Sequence, residues 1–392
     1  MSERIGYHGR VAIASAGMTP LTRKSGKPVL TLATEACCLA IAASGIDRRD
    51  IDGVVTFSMY DDSVPAESVA GALGLPDMRY VMDFNQGGQS AAFMVMHAAM
   101  AVDAGLAKSV LVFRALNGRS GLRIGRVRSQ NEAAALRRSV GIIAYPQIQA
   151  LGYRRYMIET GTDERDLYAA VVNARQHASG NPRAIRRNFV SEADYFASPY
   201  VASPYRNADC TIEVDGACAV LVTSLARARD LALPPATIAS SAWCTHQFDL
   251  DMGSMLTYDL PSKNFGWHMR DRLYAGCGLA PKDVDVASLY DCFTGVLLQN
   301  MEGLGVCGYG EAGEYLRHKN AGGAGTVVNP SGGLLAEGYL HGMNSLAEAV
   351  WQVQGVAGPT QVEDCEVALT CSGGFMTGSA AVLVRDPARS AS

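Results

Sequence analysis

Apolar runs recur along this chain in two lengths: short ones bounded by glycine, proline or charge, and longer alanine-rich ones. The short run Val11–Ala16 predicts a strand. Leu30–Ala43 predicts a packed helix, closed by Ser44-Gly45, a pair suited to a left-handed C-cap. Polar residues Asp47–Gly53 then lead into a second apolar strand, Val54–Phe57. The opening is βαβ-like.

The same pattern returns in the second half. Ala236–Ser240 predicts a strand, a helix runs through Trp267 to Ala275, and Val286–Leu289 predicts the next strand. Gly45 and Gly278 stand 233 positions apart, and the pairs Ile51-Asp52 and Val284-Asp285 keep that offset. The chain therefore reads as an internal duplication. Asp83–Ser90 is a glycine-rich turn feeding the Ala/Met helix 91–104 and the strand Ser109–Phe113. Its counterpart is Asn329–Gly342, feeding a helix from Ser345 to Gln354 and the strand Val367–Cys371. Each turn brings exposed backbone N–H groups and the positive end of a helix to one point, so two such points can face a shared site.

Between Phe113 and a predicted strand at Cys210–Val214 the texture changes. Gly118–Arg128 is basic and glycine-rich, Ala150–Thr160 and Asp163–Ala178 predict helices, and Tyr195–Tyr205 predicts a loop of Pro, Ser and Tyr. An insertion of that length inside a regular repeat reads as a lid or partner surface. Its arginines (Arg119, Arg123, Arg126, Arg128, Arg137, Arg138, Arg154, Arg155) suit either a phosphate ligand or a solvated charged face. The division expected is 1–230 for the first half, with the insertion at about 116–208, and 231–392 for the second.

Composition narrows the function classes. With 48% hydrophobic and 18% charged residues the chain has ample material for a core, and 34 Lys+Arg against 38 Asp+Glu leave a net charge of −4. No global field draws it to nucleic acid or an anionic membrane. The N-terminus lacks the apolar core of a signal peptide, and no apolar run reaches the roughly eighteen residues of a membrane span, so a soluble, cytoplasmic protein is expected. The ten cysteines include no C-x-x-C pair and no metal-type spacing. They read as reduced, small core residues, Cys218 and Cys292 among them.

Candidate chemistry lies in two segments. Asn329-Pro330-Ser331-Gly332-Gly333, followed by Gly338-Tyr339-Leu340-His341-Gly342, resembles the Asn-Pro, glycine-pair and Gly-His-Pro loop of the thiolase superfamily. Tyr290-Asp291-Cys292-Phe293 resembles the His-Asp-Cys-Phe segment of its sterol carrier protein x type. Arg175–Pro182, Asp215–Leu221 (similar to the family's Asp-Gly-Ala-Ala-Ala turn) and Cys371–Gly374 resemble further segments of that family, in the right order and over nearly the whole chain. The resemblance implies an α/β thiolase fold: two duplicated βαβαβαββ halves in an α-β-α-β-α layered stack, dimeric in the family.

Three departures from the family pattern bear on activity. Matching Gly88 to the family's glycine and stepping back three positions puts the nucleophilic cysteine's place at Asn85, with Gln86 or Gly87 in the neighbouring registers; none is cysteine. Tyr290 and Tyr339 stand where the family has histidines. The double tyrosine resembles the lipid-transfer-protein-type aldolases that remove steroid side chains. That likeness implies retro-aldol cleavage of a β-hydroxyacyl-CoA steroid or bile-acid side chain to a ketosteroid plus propionyl-CoA or acetyl-CoA. No metal or cofactor is implied, CoA being part of the substrate. It also implies a small partner with an OB-fold and zinc ribbon, giving a heterotetramer.

Such a reaction asks for a base on the β-hydroxyl, stabilisation of the enolate and an acid at the α-carbon, with no acyl-enzyme. Tyr290 and Tyr339 are the expected acid/base pair. Cys371 is a candidate for the site wall. Asp291 either orients Tyr290 or caps its turn, and His341 either hydrogen-bonds a hydroxyl or points outward. Asn329, Gly332, Gly333 and Gly374 are expected to shape the loops and offer backbone N–H groups. His177 reads as a helix-end residue and His97 as a core histidine. Two other readings compete: an acyltransferase or thiolase using another cysteine, and a non-catalytic lipid carrier or scaffold.

Overall fold

The computed structural model describes residues 6–121, 123, 132–245 and 262–386. Its strands are β1 (Val11–Met18), β2 (Gly53–Ser58), β3 (Tyr80–Asn85), β4 (Ser109–Asn117), β5 (Tyr200–Ala202), β6 (Tyr205–Arg206), β7 (Asp215–Ser224), β8 (Ala236–Thr245), β9 (Val286–Ser288), β10 (Val327–Val328), β11 (Val367–Gly374) and β12 (Thr377–Arg385). The helices of the first half are α1 (Val29–Ser44), α2 (Ala66–Leu73), α3 (Ala91–Asp103), α4 (Glu132–Ser139), α5 (Tyr145–Thr160), α6 (Glu164–Ser179), α7 (Glu192–Ala197) and α8 (Leu225–Arg229). Those of the second half are α9 (Phe265–Ala275), α10 (Thr294–Gly303), α11 (Ala312–Asn320), α12 (Gly333–Ala336) and α13 (Met343–Gln354).

The duplication is visible in hydrogen-bonded topology. Ten strands run in the order β10-β9-β11-β12-β8-β1-β7-β4-β2-β3. Read outward from the centre, the five strands of each half repeat one arrangement: an antiparallel pair, a second antiparallel pair, then two parallel ones. The halves meet through two residue pairs, Ala12 with Thr237 and Ile13 with Ala236.

Strand alternation sets the layers. On β4, Val110 and Val112 join a central core with α3 and α13, whereas Leu111, Phe113 and Ala115 face an outer core with α1 and α2. The same alternation in the second half sends Ala368 and Leu383 inward. Leu369 and Val382 face outward, under α9, α10 and the helices of the insertion. The result is the α-β-α-β-α stack expected from the sequence.

The structure corrects four local expectations. Cys210–Val214 is not a strand: Cys210 makes one bridge to Phe293 and Glu213 one to Tyr339. The strand begins at Asp215, so Asp215-Gly216-Ala217 lies within β7 rather than in a turn. The segment Asp83–Asn85 belongs to the edge strand β3, whose alternating burial leaves only one face packed. The Tyr195–Tyr205 loop holds the end of α7 and a small hairpin of β5 and β6. Helices α2, α10 and α11 were not expected; α10 is buried along its whole length, and a helix buried all round has no amphipathic period to read.

Candidate active site

A cavity of about 580 Å³ opens where the two halves and the insertion converge. Gly87, Gly88 and Gln89 come from the turn before α3. Tyr290, Cys292 and Phe293 follow β9, Tyr339 and His341 come from the loop between α12 and α13, and Gly373, Gly374 and Phe375 from the β11–β12 turn. The insertion closes the far side with Tyr145, Pro146 and Gln149.

At its centre the hydroxyls of Tyr290 and Tyr339 lie 2.5 Å apart, a hydrogen bond that either can donate. Each ring is placed by its backbone. The Tyr290 carbonyl accepts from Asn300 Nδ2 at 2.8 Å, and its N–H faces Cys371 Sγ at 3.4 Å. The Tyr339 N–H donates to the Ile212 carbonyl at 3.2 Å. Burial pushes both phenols well above the ordinary tyrosine range. For Tyr290 the neighbouring phenol adds to the rise, while for Tyr339 the bond to Tyr290 and the Arg114 charge oppose it. The resting pair is therefore two neutral phenols.

Tyr290 reaches the start of α3. A Cβ added at Gly88 would lie 2.0 Å from the Tyr290 hydroxyl oxygen. Gly88, and not Asn85, is thus the α3-side residue that faces the tyrosines. Asn85 is exposed at the end of β3, paired with Ser58, and is not part of the cavity wall. Of the neighbouring registers, Gly87 lines the cavity beside Gly88. Among the described residues, the N–H groups of Gly88 and Gln89 make no hydrogen bond.

Several other candidates stand behind the cavity rather than in it. The Asp291 carboxylate accepts from the N–H groups of Leu334 at 2.7 Å and Leu335 at 3.4 Å, so it caps the start of α12 rather than its own turn, and among the described residues it makes no hydrogen bond to the Tyr290 hydroxyl. Burial drives its carboxyl upward against those donors. Asn329 Oδ1 accepts from Leu289 N–H at 2.6 Å, and Asn329 Nδ2 donates to the Leu289 carbonyl at 3.0 Å, locking the loop to the end of β9. The N–H groups of Gly332 and Gly333 are taken by Asn329 and Ser331, so neither offers a donor to the cavity. A Cβ at Gly333 would meet Asp291 at 2.1 Å, which accounts for the glycine there. Cys371 is wholly buried behind Tyr290 and is not a wall residue; desolvation pushes its thiol up to about 12. Cys292 and Cys210 line the cavity instead. Gly374 does line it.

His341 points inward. Its ring packs edge-on against Tyr339 with centroids 4.5 Å apart, and its Nδ1 accepts from Arg114 Nε at 3.2 Å and Nη2 at 3.0 Å. Burial, with the Arg114 charge added, pushes its pKa well below the ordinary range, so the ring is neutral. Arg114 is fully buried in β4 and is paired with Asp62. Neither residue was singled out from the sequence, although a lone arginine in the apolar run Val110–Leu116 was a signal. His97 sits half-buried against Phe84 and Phe93, away from the cavity wall.

Several arginines reach the cavity. Arg119 and Arg123 line the cavity together with Arg23 and Arg186, while Arg123 is held by Glu213. Arg155 pairs with Glu159 on the surface of α5, and Arg126 and Arg128 lie outside the described residues. Among the described residues there is no cluster of ligands for a metal ion, and no helix is long and apolar enough to cross a membrane.

Comparison with known proteins points to one family. Residues 270–386 match the thiolase C-terminal domain-like family. The chain is 38% identical over 366 residues to the 17-hydroxy-3-oxo-4-pregnene-20-carboxyl-CoA lyase of Mycobacterium tuberculosis, covering 89% of this chain and 92% of that one. It is 36% identical over 363 residues to the steroid side-chain-cleaving aldolase of Thermomonospora curvata, covering 89% and 91%. A solved structure described as the Ltp2-ChsH2(DUF35) aldolase superposes with a TM-score of 0.89 at 35% identity, over 98% of this chain and all of that one. Human mitochondrial 3-ketoacyl-CoA thiolase in complex with CoA, at 15% identity and a TM-score of 0.71 over 96% of this chain and 98% of that one, shares the fold.

Proposed function

The chain belongs to the thiolase superfamily, among its steroid side-chain-cleaving aldolases, and from that membership we propose that it cleaves a β-hydroxyacyl-CoA steroid side chain by a retro-aldol reaction, with Tyr290 and Tyr339 as the acid/base pair. The observation that carries the tyrosine assignment is the 2.5 Å contact between the two hydroxyls on the cavity wall.

The reaction follows from two neutral phenols. The substrate's β-hydroxyl gives its proton to one tyrosine oxygen as the bond between the β- and α-carbons breaks. The bonding electrons pass into the thioester enolate. The first phenol hands its own proton to the second, and the second protonates the α-carbon. The proton count closes: a ketosteroid and a short acyl-CoA, propionyl-CoA or acetyl-CoA, leave with the enzyme unchanged. Because burial raises both phenols, a relay in which neither carries a full charge is favoured over a standing phenolate. The N–H groups of Gly88 and Gln89, which make no hydrogen bond among the described residues and lie at the positive end of α3, suit the enolate oxygen. Arg23, Arg119 and Arg186 suit the phosphates of CoA.

A partner protein fits the surface. Leu136, Val140, Ile143 and Leu151, on and between α4 and α5 beside the cavity, are exposed apolar side chains. The similar aldolase structure is described with a ChsH2 DUF35 component. A small OB-fold and zinc-ribbon partner covering this face, on a homodimer of the present chain, is the assembly proposed; co-expression and co-purification test it.

Tyr290→Phe and Tyr339→Phe are each expected to lower cleavage by about 10²–10⁴-fold while the acyl-CoA still binds. Wild-type rates in both would sink the assignment. The presence of Cys292 and Cys210 in the wall gives the acyltransferase reading its one support. Desolvation pushes the Cys210 thiol up to about 12 and the Cys292 thiol upward too, the reverse of an activated nucleophile. Mass spectrometry after incubation with acyl-CoA should find no acylated cysteine.

A further inference from the structure

Arg114 is a charge in a place built for an apolar side chain. It occupies the same face of β4 as Val110 and Val112, which belong to the central core, and its side chain is wholly buried. Such a charge is retained only where its donors are met. Arg114 Nη1 donates to the Phe57 carbonyl at 3.1 Å, Nη2 is paired with Asp62, and its guanidinium lies 4.4 Å from the Phe57 ring centroid. Its remaining donors, Nε and Nη2, converge on His341 Nδ1.

The chemistry of that contact fixes the imidazole. A guanidinium has donors and no acceptor, so His341 Nδ1 must carry a lone pair. In a neutral ring the proton then resides on Nε2. Among the described residues His341 makes no other hydrogen bond, and its ring forms part of the cavity wall beside Tyr339. The ring is held in place from two further directions. His341 has φ +53, and Asp62, which anchors the guanidinium, also accepts from Met59 N–H at 2.9 Å across a loop in which Tyr60 and Asp61 have φ +54 and +59. Three non-glycine residues in the left-handed region are thus tied to one guanidinium.

We propose that His341 is a catalytic hydrogen-bond donor, its Nε2–H directed to the thioester oxygen as that oxygen becomes an enolate, and that Arg114 and Asp62 are positioning residues that hold it in the neutral Nε2–H form. His341 keeps its proton throughout; the tyrosine pair alone moves protons. A neutral imidazole suits this task, because it stabilises developing negative charge without quenching the enolate. The donor role rests on the retro-aldol reading above, whereas the positioning of His341 by Arg114 does not.

The test has two arms. In the free enzyme labelled with ¹⁵N-histidine, the signal that disappears in His341→Gln is assigned to His341; it should report a neutral ring protonated at Nε2, and its Nδ1 shift should move in Arg114→Lys. A ring protonated at Nδ1, or a cation, overturns the proposal. In steady-state cleavage, His341→Phe should lower kcat by about 10²–10³-fold with little change in KM. His341→Gln, which restores an N–H, should recover to within about tenfold of wild type. Arg114→Lys should lower kcat in the wild-type background and add little in His341→Phe. Full kcat in His341→Phe, no rescue by glutamine, or additive losses each overturn the donor role, provided the melting temperature confirms folding. A folded His341→Phe variant is not needed for the spectral arm, which decides by itself. An inactive wild type with the Nε2–H ring present overturns the retro-aldol reading and the donor role with it, and leaves the positioning by Arg114 standing.

Discussion

Gly88→Ala is the sharpest probe of the tyrosine pair, because it changes neither tyrosine. A Cβ at position 88 would lie 2.0 Å from the Tyr290 hydroxyl oxygen and 2.7 Å from Cζ, where ordinary contact begins at 3.4 Å. The hydroxyl must therefore withdraw by about 1.4 Å, more than the 2.5 Å bond to Tyr339 tolerates. A displacement of about 1 Å in a catalytic group costs on the order of 10²-fold in rate, so kcat should fall by about that factor, or roughly 2.7 kcal/mol in the barrier. Tyr290 is 5% exposed and flanked by packed residues, so some overpacking, about 1–3 kcal/mol of stability, accompanies the shift. The assay is chromatographic release of ketosteroid from a steroid β-hydroxyacyl-CoA, with a thermal melt alongside. In a Tyr290→Phe background the hydroxyl is already gone, so the alanine should cost little further activity. A folded Gly88→Ala enzyme with wild-type turnover would show that the phenol's position does not matter and would refute the reasoning.

Three further expectations concern stability. Arg183 joins Glu337 and Glu348, both 1% exposed, at 3.0 Å and 2.5 Å; Arg183→Met strands two buried carboxylates and should cost about 3–5 kcal/mol in chemical denaturation, a loss below about 1 kcal/mol contradicting it. Buried Cys371 and Cys210 are raised from 9.0 to about 12, and Tyr290 and Tyr339 are raised above 10.0, so the folded state holds protons that the unfolded chain releases. Their contribution is complete below about pH 9 and is lost as pH climbs beyond it, so the melting temperature should fall progressively from there. Burial raises Glu302 from 4.5 to about 7, so its contribution is present below 4.5 and lost as pH rises through 7; Glu302→Gln, which mimics the protonated form, should melt above wild type at about pH 8 and level with it near 4.5.

The sequence carried the fold further than the site. Strand and helix periods repeated at a fixed offset because each half buries the same faces, and both the offset and the repeated strand order report that constraint. Edge strand β3 escaped notice because only alternate residues are packed and its end merges with a polar, glycine-rich turn. Tyr290 and Tyr339 were legible because they replace particular residues in two recognisable loops. The closeness of Gly88 to Tyr290 was not, since nothing in the sequence shows which ring packs against that glycine. Asp291, Asn329 and the glycine pair were legible as a cluster, but spacing cannot say which members face a ligand and which hold the loop from behind. Arg114 and His341 lie 227 positions apart, a contact that only the packing of the two halves creates.

The geometry also ties together changes that look separate along the chain. The thiolase resemblance places a nucleophilic cysteine near the start of the first-half helix, and here the hydroxyl of Tyr290, from the second half, fills the space in front of Gly88. A side chain at position 88 and a phenol at position 290 cannot occupy the same 2.0 Å. Any side chain at position 88, a nucleophilic one included, is therefore excluded while the Tyr290 phenol keeps this place. Once the phenol is in place, its shortest contact is the second phenol, and burial keeps both protonated. Under the proposed mechanism such a cavity has no acyl group to hold and would instead pass protons between neutral hydroxyls, which is what carbon–carbon cleavage without an acyl-enzyme requires.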